Sequence, residues 1–389
     1  MELFAVGHGV WPNLLAALLA MLTVLIVHPK LVKIAKLKSI VDNPNARKLN
    51  KEPIPVLGGV GVFIGLFIAI TAVGLFIDIS SLQIPLAVML IMLYVGVGDD
   101  ILNMKATTKM LLQIVAVCLL MFVGDYRITS FWGLCGIHAL PLWFSYLFTL
   151  VSCVGVINAV NLIDGVDGLS SGFGMLAAAV CGACFVYCGD EVYAALCFAT
   201  VGALLPFFLH NVFGRTSKMF IGDGGSLVLG MLFSVVIVHI LGTASIAVEF
   251  SSPVAFLLAV FTVPVFDTTR VMLARISKGV SPFHPDKTHL HHAFIEAGFS
   301  HADTTLIIVL LDMLVIGSWY LASLFLSQFW QVVVVAVCGL LVVCTPPMLV
   351  GYAKRKNPKR FERHRDERKR NHERRRGFYF VCSKFIDTL

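Results

Sequence analysis

Four short polar clusters interrupt an otherwise strongly apolar chain, and their residue types define the chemistry open to it. They are Gly96-Val97-Gly98-Asp99-Asp100, the stretch 158–172 (NAVNLIDGVDGLSSG), Phe220-Ile221-Gly222-Asp223-Gly224-Gly225-Ser226, and the loop 281–292, which ends His289-Leu290-His291-His292. Charged groups so close to hydrocarbon are costly and by default mark a site.

Asp99, Asp100, Asp164, Asp167 and Asp223 would repel one another if all were ionised and unpaired. Protonation of some members or a divalent cation among them would relieve that. Oxygen ligands without thiolates suit Mg²⁺ or Mn²⁺ rather than zinc, and Mg²⁺ with few protein ligands fills its shell with water and phosphates. Ordinary helix capping by Asp and Asn is the plainer reading of any single aspartate. The runs Asp223-Gly224-Gly225-Ser226 and Asp167-Gly168-Leu169-Ser170 each lead into a helix, where free N–H groups favour an anion such as phosphate. Neither is a Walker loop, because no Gly-Lys-Ser/Thr follows at the required spacing.

His289, His291 and His292 follow Lys287 in a loop that also holds Arg275 and Lys278, with Arg270 just before it. They read as donors to a diphosphate or sugar; a zinc site and a surface cluster without function are the alternatives. Lys105 and Lys109 follow the Asp99–Asp100 pair and serve either as snorkelling anchors or as phosphate contacts. The loop 41–50 adds Arg47 and Lys48 before the helix start at Gly58-Gly59.

These clusters must be positioned by membrane helices. Of 389 residues, 58% are hydrophobic and 14% charged, and the mean hydropathy is +0.87. A soluble domain carries about 25% charged residues, so the chain is an all-α, polytopic integral membrane protein. A crossing takes about 20 apolar residues. The runs 10–28, 56–77, 82–98, 110–124, 141–158, 170–188, 192–210, 225–242, 252–271, 304–326 and 329–352 give eleven spans, the first being uncleaved rather than a signal peptide. Of the 30 Lys and Arg, only Arg127 falls on one side of this topology. The basic side is therefore cytoplasmic, and parity puts all four clusters there. Residues 1–352 form the transmembrane domain and 353–389 a basic cytoplasmic tail, read as a solvated extension or a partner for anionic lipid. Nucleic acid is not a partner, because no aromatic residues interleave with the tail's charges. Eight of the ten cysteines lie in apolar runs and read as small buried hydrophobes.

With these motifs in order, the chain resembles the polyprenyl-phosphate N-acetylhexosamine-1-phosphate transferases, in pattern the undecaprenyl-phosphate GlcNAc-1-phosphate transferases. The family markers are the Asp-Pro…Arg-Lys loop, here Asp42 to Lys48, Gly58-Gly59, Gly96 to Asp100, Asn158-Ala-x-Asn-x-x-Asp-Gly-x-Asp-Gly-Leu169, Phe220-x-Gly-Asp-x-Gly-Ser226 and His289-x-His-His292. They span about residues 40 to 295. Asn50 stands where the family often has His, and Leu290 where Ile is frequent.

The resemblance implies transfer of a sugar-1-phosphate, GlcNAc-1-phosphate first, from a UDP-sugar to undecaprenyl phosphate. UMP is released, and the lipid-linked product starts a cell-envelope polysaccharide. Another UDP-N-acetylhexosamine or UDP-MurNAc-pentapeptide is the alternative donor. The motif positions imply Asp223 and Asn161 as Mg²⁺ (or Mn²⁺) ligands, and Asp99, supported by Asp100, as the residue that orients or deprotonates the acceptor. Asp164, Asp167 and Phe220 would hold the nucleotide, with Asp167 on the uracil and Phe220 stacked on it. Lys109, His289, His291 and His292 would contact diphosphate and sugar, and Lys48 would join the nucleotide- and substrate-binding residues. The expected setting is a bacterial cytoplasmic membrane, among its lipids, with a homodimer as a possible assembly. A secondary transporter is the rival class, but its site would lie near the bilayer midplane between repeated halves, and no inverted repeat is evident.

Overall fold

A computed structural model of the protein describes residues 10–42, 53–243, 252–282, 286–374 and 376–388. Lys48, with Arg47 and Asn50, lies outside the described residues. Fifteen helices occur among those described: α1 (Trp11–Leu37), α2 (Gly58–Val73), α3 (Gln83–Leu102), α4 (Ala106–Phe122), α5 (Leu142–Leu162), α6 (Leu169–Tyr187), α7 (Glu191–Phe213), α8 (Gly222–Gly242), α9 (Pro253–Val260), α10 (Thr262–Ile276), α11 (Leu290–Glu296), α12 (His301–Ser323), α13 (Gln328–Lys356), α14 (Pro358–Arg374) and α15 (Arg376–Ile386). Among the described residues one pair of short strands, β1 (Val41–Asp42) with β2 (Ile54–Pro55), runs antiparallel and leads into α2.

Among the described residues eight helices are long and apolar enough to cross a membrane, and the protein is an all-α polytopic membrane protein. The expected spans at 56–77 and 110–124 correspond to shorter apolar helices, α2 and α4, of 16 and 17 residues. The run 252–271 is not one straight helix. It breaks at Phe261 into α9 and α10, which meet at a 76° bend. Pro264 explains the break, since it has no N–H to give the preceding turn. One amide freed there, that of Val263, donates to Asp312 Oδ1 of α12 at 3.3 Å, as non-helical backbone at membrane depth requires.

At the centre lies α8. It is apolar all round, as a fully enclosed helix should be, and 16 of its 21 residues are buried. It packs against α2, α3 and α5, whereas α13 buries few residues and lies at the periphery. Without a hydrophobic drive between helices in lipid, close approach at small residues holds such bundles. Two approaches bear on the site. A Cβ on Gly59 would lie 2.1 Å from Gly225 N, and one on Gly96 would lie 2.3 Å from Asp223 O. Both contacts fall at the first turn of α8, so glycine in α2 and α3 fixes where that turn sits.

Candidate active site

The chain enters α8 through Gly222, at φ +68°, a conformation that L side chains avoid. A Cβ there would also meet Asp100 Oδ2 at 2.5 Å. That carboxylate reaches across from the last turns of α3 and caps α8: Asp100 Oδ1 accepts the Asp223 N–H at 2.9 Å, and Oδ2 accepts the Gly224 N–H at 3.0 Å. The expectation that these first amides wait for a phosphate is therefore corrected, because the carboxylate of Asp100 already takes the anion's place. The amide of Gly168 at the start of α6 is likewise used, donating to Asn211 Oδ1 at 2.6 Å.

The cap turns the Asp223 side chain into a charged cluster. Lys109, from the first turn of α4, donates to Asp99 Oδ2 at 3.0 Å and also to Asp223 Oδ2. Asp99 is held from its other side by the Met104 N–H at 2.7 Å. Asn161 Nδ2, near the end of α5, donates to Asp223 Oδ1 at 2.8 Å and to Ser226 Oγ at 2.7 Å. Four helices thus each place one polar group on a single point. Asn158 points elsewhere and joins α5 to Gln113 of α4 at 2.7 Å.

Beside this cluster opens a cleft of about 1020 Å³. Asp100, Asp164, Asp167, Phe220, Asp223 and His292 line it. Asp164 accepts from Ser170 Oγ at 2.5 Å. Burial pushes its carboxyl well above the usual range, the Ser170 contact opposes this, and the nearby charges of Asp223, Asp100 and Asp167 reinforce it. Asp167 goes the other way. Burial alone would raise it, but His301 at 2.9 Å and Lys218 at 2.7 Å together hold it below the usual value. The two aspartates of one turn therefore take opposite protonation tendencies, a pattern found where groups are tuned for separate tasks.

The three histidines are not equivalent. His292 faces the cleft, whereas His289 and His291 are buried behind it. His289 Nδ1 lies 2.9 Å from Asp267 Oδ2, and the same carboxylate accepts from Arg270 at 2.6 Å and from the Leu290 N–H at 3.1 Å. His291 packs so tightly on Gly165 that a Cβ there would sit 2.4 Å from its Nε2. Burial lowers His291 to about 3, with His292 and His289 adding to the effect. It is therefore neutral at physiological pH, and its burial behind the cleft keeps it from the place of the diphosphate or sugar donor that was expected.

Several participants escape a motif-level reading. Lys218 pairs with Asp167 and lies 5.9 Å above the Phe220 ring; its only sequence signal is a cation two residues before a motif Phe. Asp267 shows as a carboxylate inside an apolar run, three residues before Arg270. His301 and Asn211 carry no such signal.

The glycosyl transferase family 4 profile matches residues 82–241, from α3 to the end of α8. The chain is 32% identical over 313 residues to the undecaprenyl-phosphate alpha-N-acetylglucosaminyl 1-phosphate transferase of Escherichia coli K12, covering 77% of this chain and 84% of that one. Its counterpart in Salmonella typhimurium is 30% identical over 313 residues, again 77% of this chain and 84% of that one. A probable undecaprenyl-phosphate N-acetylglucosaminyl 1-phosphate transferase of Bacillus subtilis is 30% identical over 303 residues, 77% and 82% of the two chains. A polytopic helical protein with a carboxylate–lysine cluster where the ends of four helices meet thus belongs to glycosyl transferase family 4, together with these sugar-1-phosphate transferases.

Proposed function

We propose that the protein transfers GlcNAc-1-phosphate from UDP-GlcNAc to undecaprenyl phosphate at the cytoplasmic face of a bacterial inner membrane. The observation that carries this reading is the abutment of the Asp99–Lys109–Asp223–Asn161 cluster on the cleft lined by Asp167, Lys218 and Phe220. A lipid phosphate arriving from the bilayer and a soluble nucleotide arriving in the cleft would meet at that junction. An oxygen of the lipid phosphate attacks the sugar-bearing phosphorus of the diphosphate, the bridging P–O bond breaks, and its electron pair leaves with UMP. One phosphoanhydride replaces another, so no energy input is needed. The barrier is repulsion between anions, lowered by positioning and fixed positive charge.

Lys109 supplies that charge between two carboxylates. Asp99 has one oxygen on the Met104 amide and the other on Lys109, which supports a role in holding the ammonium. A base is not required, because a phosphate monoester with a second pKa of about 6 is already largely ionised near neutral pH. Asp223 and Asp99 converge on a single cation, Lys109, and with the Asn161 carboxamide they are hard-oxygen donors of the kind that Mg²⁺ or Mn²⁺ takes. Among the described residues no three His, Cys, Asp or Glu gather as a metal-ligand set, so such an ion would depend on water and phosphate oxygens for the rest of its shell. Asp223 and the amide oxygen of Asn161 would hold it, and its chemistry there is charge neutralisation of the diphosphate. In the cleft, Asp167 and Phe220 would take the uracil, Asp164 the ribose side of the nucleotide, and His292 the sugar.

The test is purified protein in detergent with undecaprenyl phosphate, Mg²⁺ and a panel of radiolabelled UDP-sugars. Labelled lipid with equimolar UMP from UDP-GlcNAc is expected. Product from another UDP-N-acetylhexosamine, or from UDP-MurNAc-pentapeptide, would keep the reaction and change the donor. No product from any of them, with folded protein, would overturn the reading.

A further inference from the structure

The basic tail returns to the cleft wall. Past α13, Arg368 of α14 donates to the Ala297 carbonyl at 3.0 Å, and its guanidinium lies 4.5 Å over the Phe299 ring. This ties α14 to the segment that follows the histidine helix α11. Next, α15 packs on the end of α7, where Tyr379 stacks on Phe213 at 6.0 Å and Ser383 and Ile386 are buried. Just beyond α15 stands Asp387. Its Oδ1 accepts the Arg215 N–H at 3.1 Å, the Ser217 N–H at 3.1 Å and the Ser217 hydroxyl at 2.6 Å, while Oδ2 accepts the Thr216 N–H at 3.2 Å. Three consecutive backbone amides turned onto one carboxylate form an anion nest, here filled by Asp387.

The segment 214–221 that carries this nest also forms one wall of the cleft, through Arg215, Thr216, Lys218 and Phe220. Its inner side is tied to the helix bundle: Lys36 donates to the Thr216 carbonyl at 2.7 Å, His28 Nε2 lies 2.8 Å from the Ser217 carbonyl, and His210 Nδ1 lies 2.9 Å from Ser217 Oγ. These contacts engage carbonyls and a hydroxyl. The amides are gathered by Asp387, one residue before Lys218 reaches Asp167.

We propose that Asp387 is a positioning residue for the donor: by gathering the amides of residues 215–217 it sets where Lys218 stands against Asp167 and where Phe220 presents its ring. The tail is thus part of the donor subsite although it does not line the cleft. This rests on the reading above that Asp167, Lys218 and Phe220 receive the nucleotide.

Steady-state kinetics of the full-length protein test it, with UDP-GlcNAc and undecaprenyl phosphate varied in turn. In Asp387→Ala the three amides turn to water and the segment spreads over several positions. If the competent one falls to about a tenth of the population, donor KM rises about tenfold, while kcat and acceptor KM stay within about twofold. Asp387→Asn keeps one oxygen for Arg215 and Ser217 and should fall between the two; it also serves if the alanine variant folds poorly. In a Lys218→Ala background, Asp387→Ala should raise donor KM by clearly less than it does in wild type, because part of its effect runs through Lys218 and only the part through Phe220 remains. Unchanged donor KM, an equal fall in kcat with both substrates, or simple additivity with Lys218→Ala would each overturn the proposal. Asp167→Asn separates the two levels. If it raises donor KM while Asp387→Ala does not, the tail's role fails and the nucleotide reading stands. If it leaves donor KM unchanged, the nucleotide reading fails and the tail's role goes with it.

Discussion

Replacing Gly96 by Ala should damage the protein far more than the same change two residues later. A methyl on Gly96 would lie 2.3 Å from Asp223 O, 2.4 Å from Asp223 C and 2.5 Å from Gly224 Cα. All three are backbone atoms of the first turn of α8, so no rotamer change relieves the clash. Carbon contacts settle near about 3.5 Å, so α3 and α8 must part by roughly 1 Å at that level. Overpacking of this kind costs about 1–3 kcal/mol. A displacement of about 1 Å at a reacting centre costs about 100-fold in rate, and the displaced group is Asp223 itself. At Gly98 an added methyl would meet only Met104 Sδ, at 3.6 Å. Ala in a helix interior gains about 0.5–1 kcal/mol over Gly, so Gly98→Ala should be neutral or slightly stabilising. The assay is transfer of label from UDP-GlcNAc to lipid in isolated membranes, with melting of detergent-purified protein followed by size-exclusion fluorescence. Wild-type turnover and melting in Gly96→Ala, or equal damage from Gly98→Ala, would refute this account of how α3 places α8.

Other expectations follow from the same contacts. Asp100→Ala removes the acceptor for two α8 amides; the loss of such a cap costs about 1–2 kcal/mol, and Asp100→Asn should be milder in both melting and turnover. If Asp99 acts by holding Lys109, the double variant Asp99→Asn/Lys109→Ala will turn over no more slowly than Lys109→Ala alone; an additive loss would return an independent role, such as base, to Asp99. His291, lowered to about 3, cannot take a proton when folded but takes one near 6.5 when unfolded. Its share of stability is therefore complete above about pH 6.5 and is lost as pH falls toward 3, roughly 2 kcal/mol of it by pH 5. Melting at pH 7 and pH 5 should show a smaller acid loss in His291→Gln than in wild type, and equal losses would contradict the burial argument.

Much of the architecture is legible in residue types. Apolar runs with glycine and aspartate at their ends mark both the helices and their tips, and α3, α5 and α8 meet where those tips predict. Glycine-rich helix starts, however, look the same whether the anion they face is a ligand or a side chain, so Asp100 in the role of cap was hidden. The 252–271 run reads as one span because hydropathy does not register the missing amide of Pro264 or the partner that Asp312 offers from another helix. His289 and His291 look like a donor pair in the motif, yet burial and Asp267 decide otherwise, and burial is a property of the fold. Lys218 and Asp387 depend on contacts 51 and 170 residues away in sequence, a range that spacing rules do not reach.

The central helix raises a problem of address. A helix greasy on every side has no stripe to tell it how far to rotate or how deep to sit, since lipid and neighbouring side chains are almost equally good solvents for it. In α8 polar bonds supply that information at both ends: His239 meets Asp190 at one, and at the other stand the Asp100 cap and Asn161 gripping Asp223 and Ser226. Asp100 and Asn161 both precede α8 in the chain. The same few polar bonds that register the helix at its Asp223 end also aim its carboxylate. A slip in packing and a fault in chemistry are then one event, and a misregistered bundle has no means of being a working enzyme.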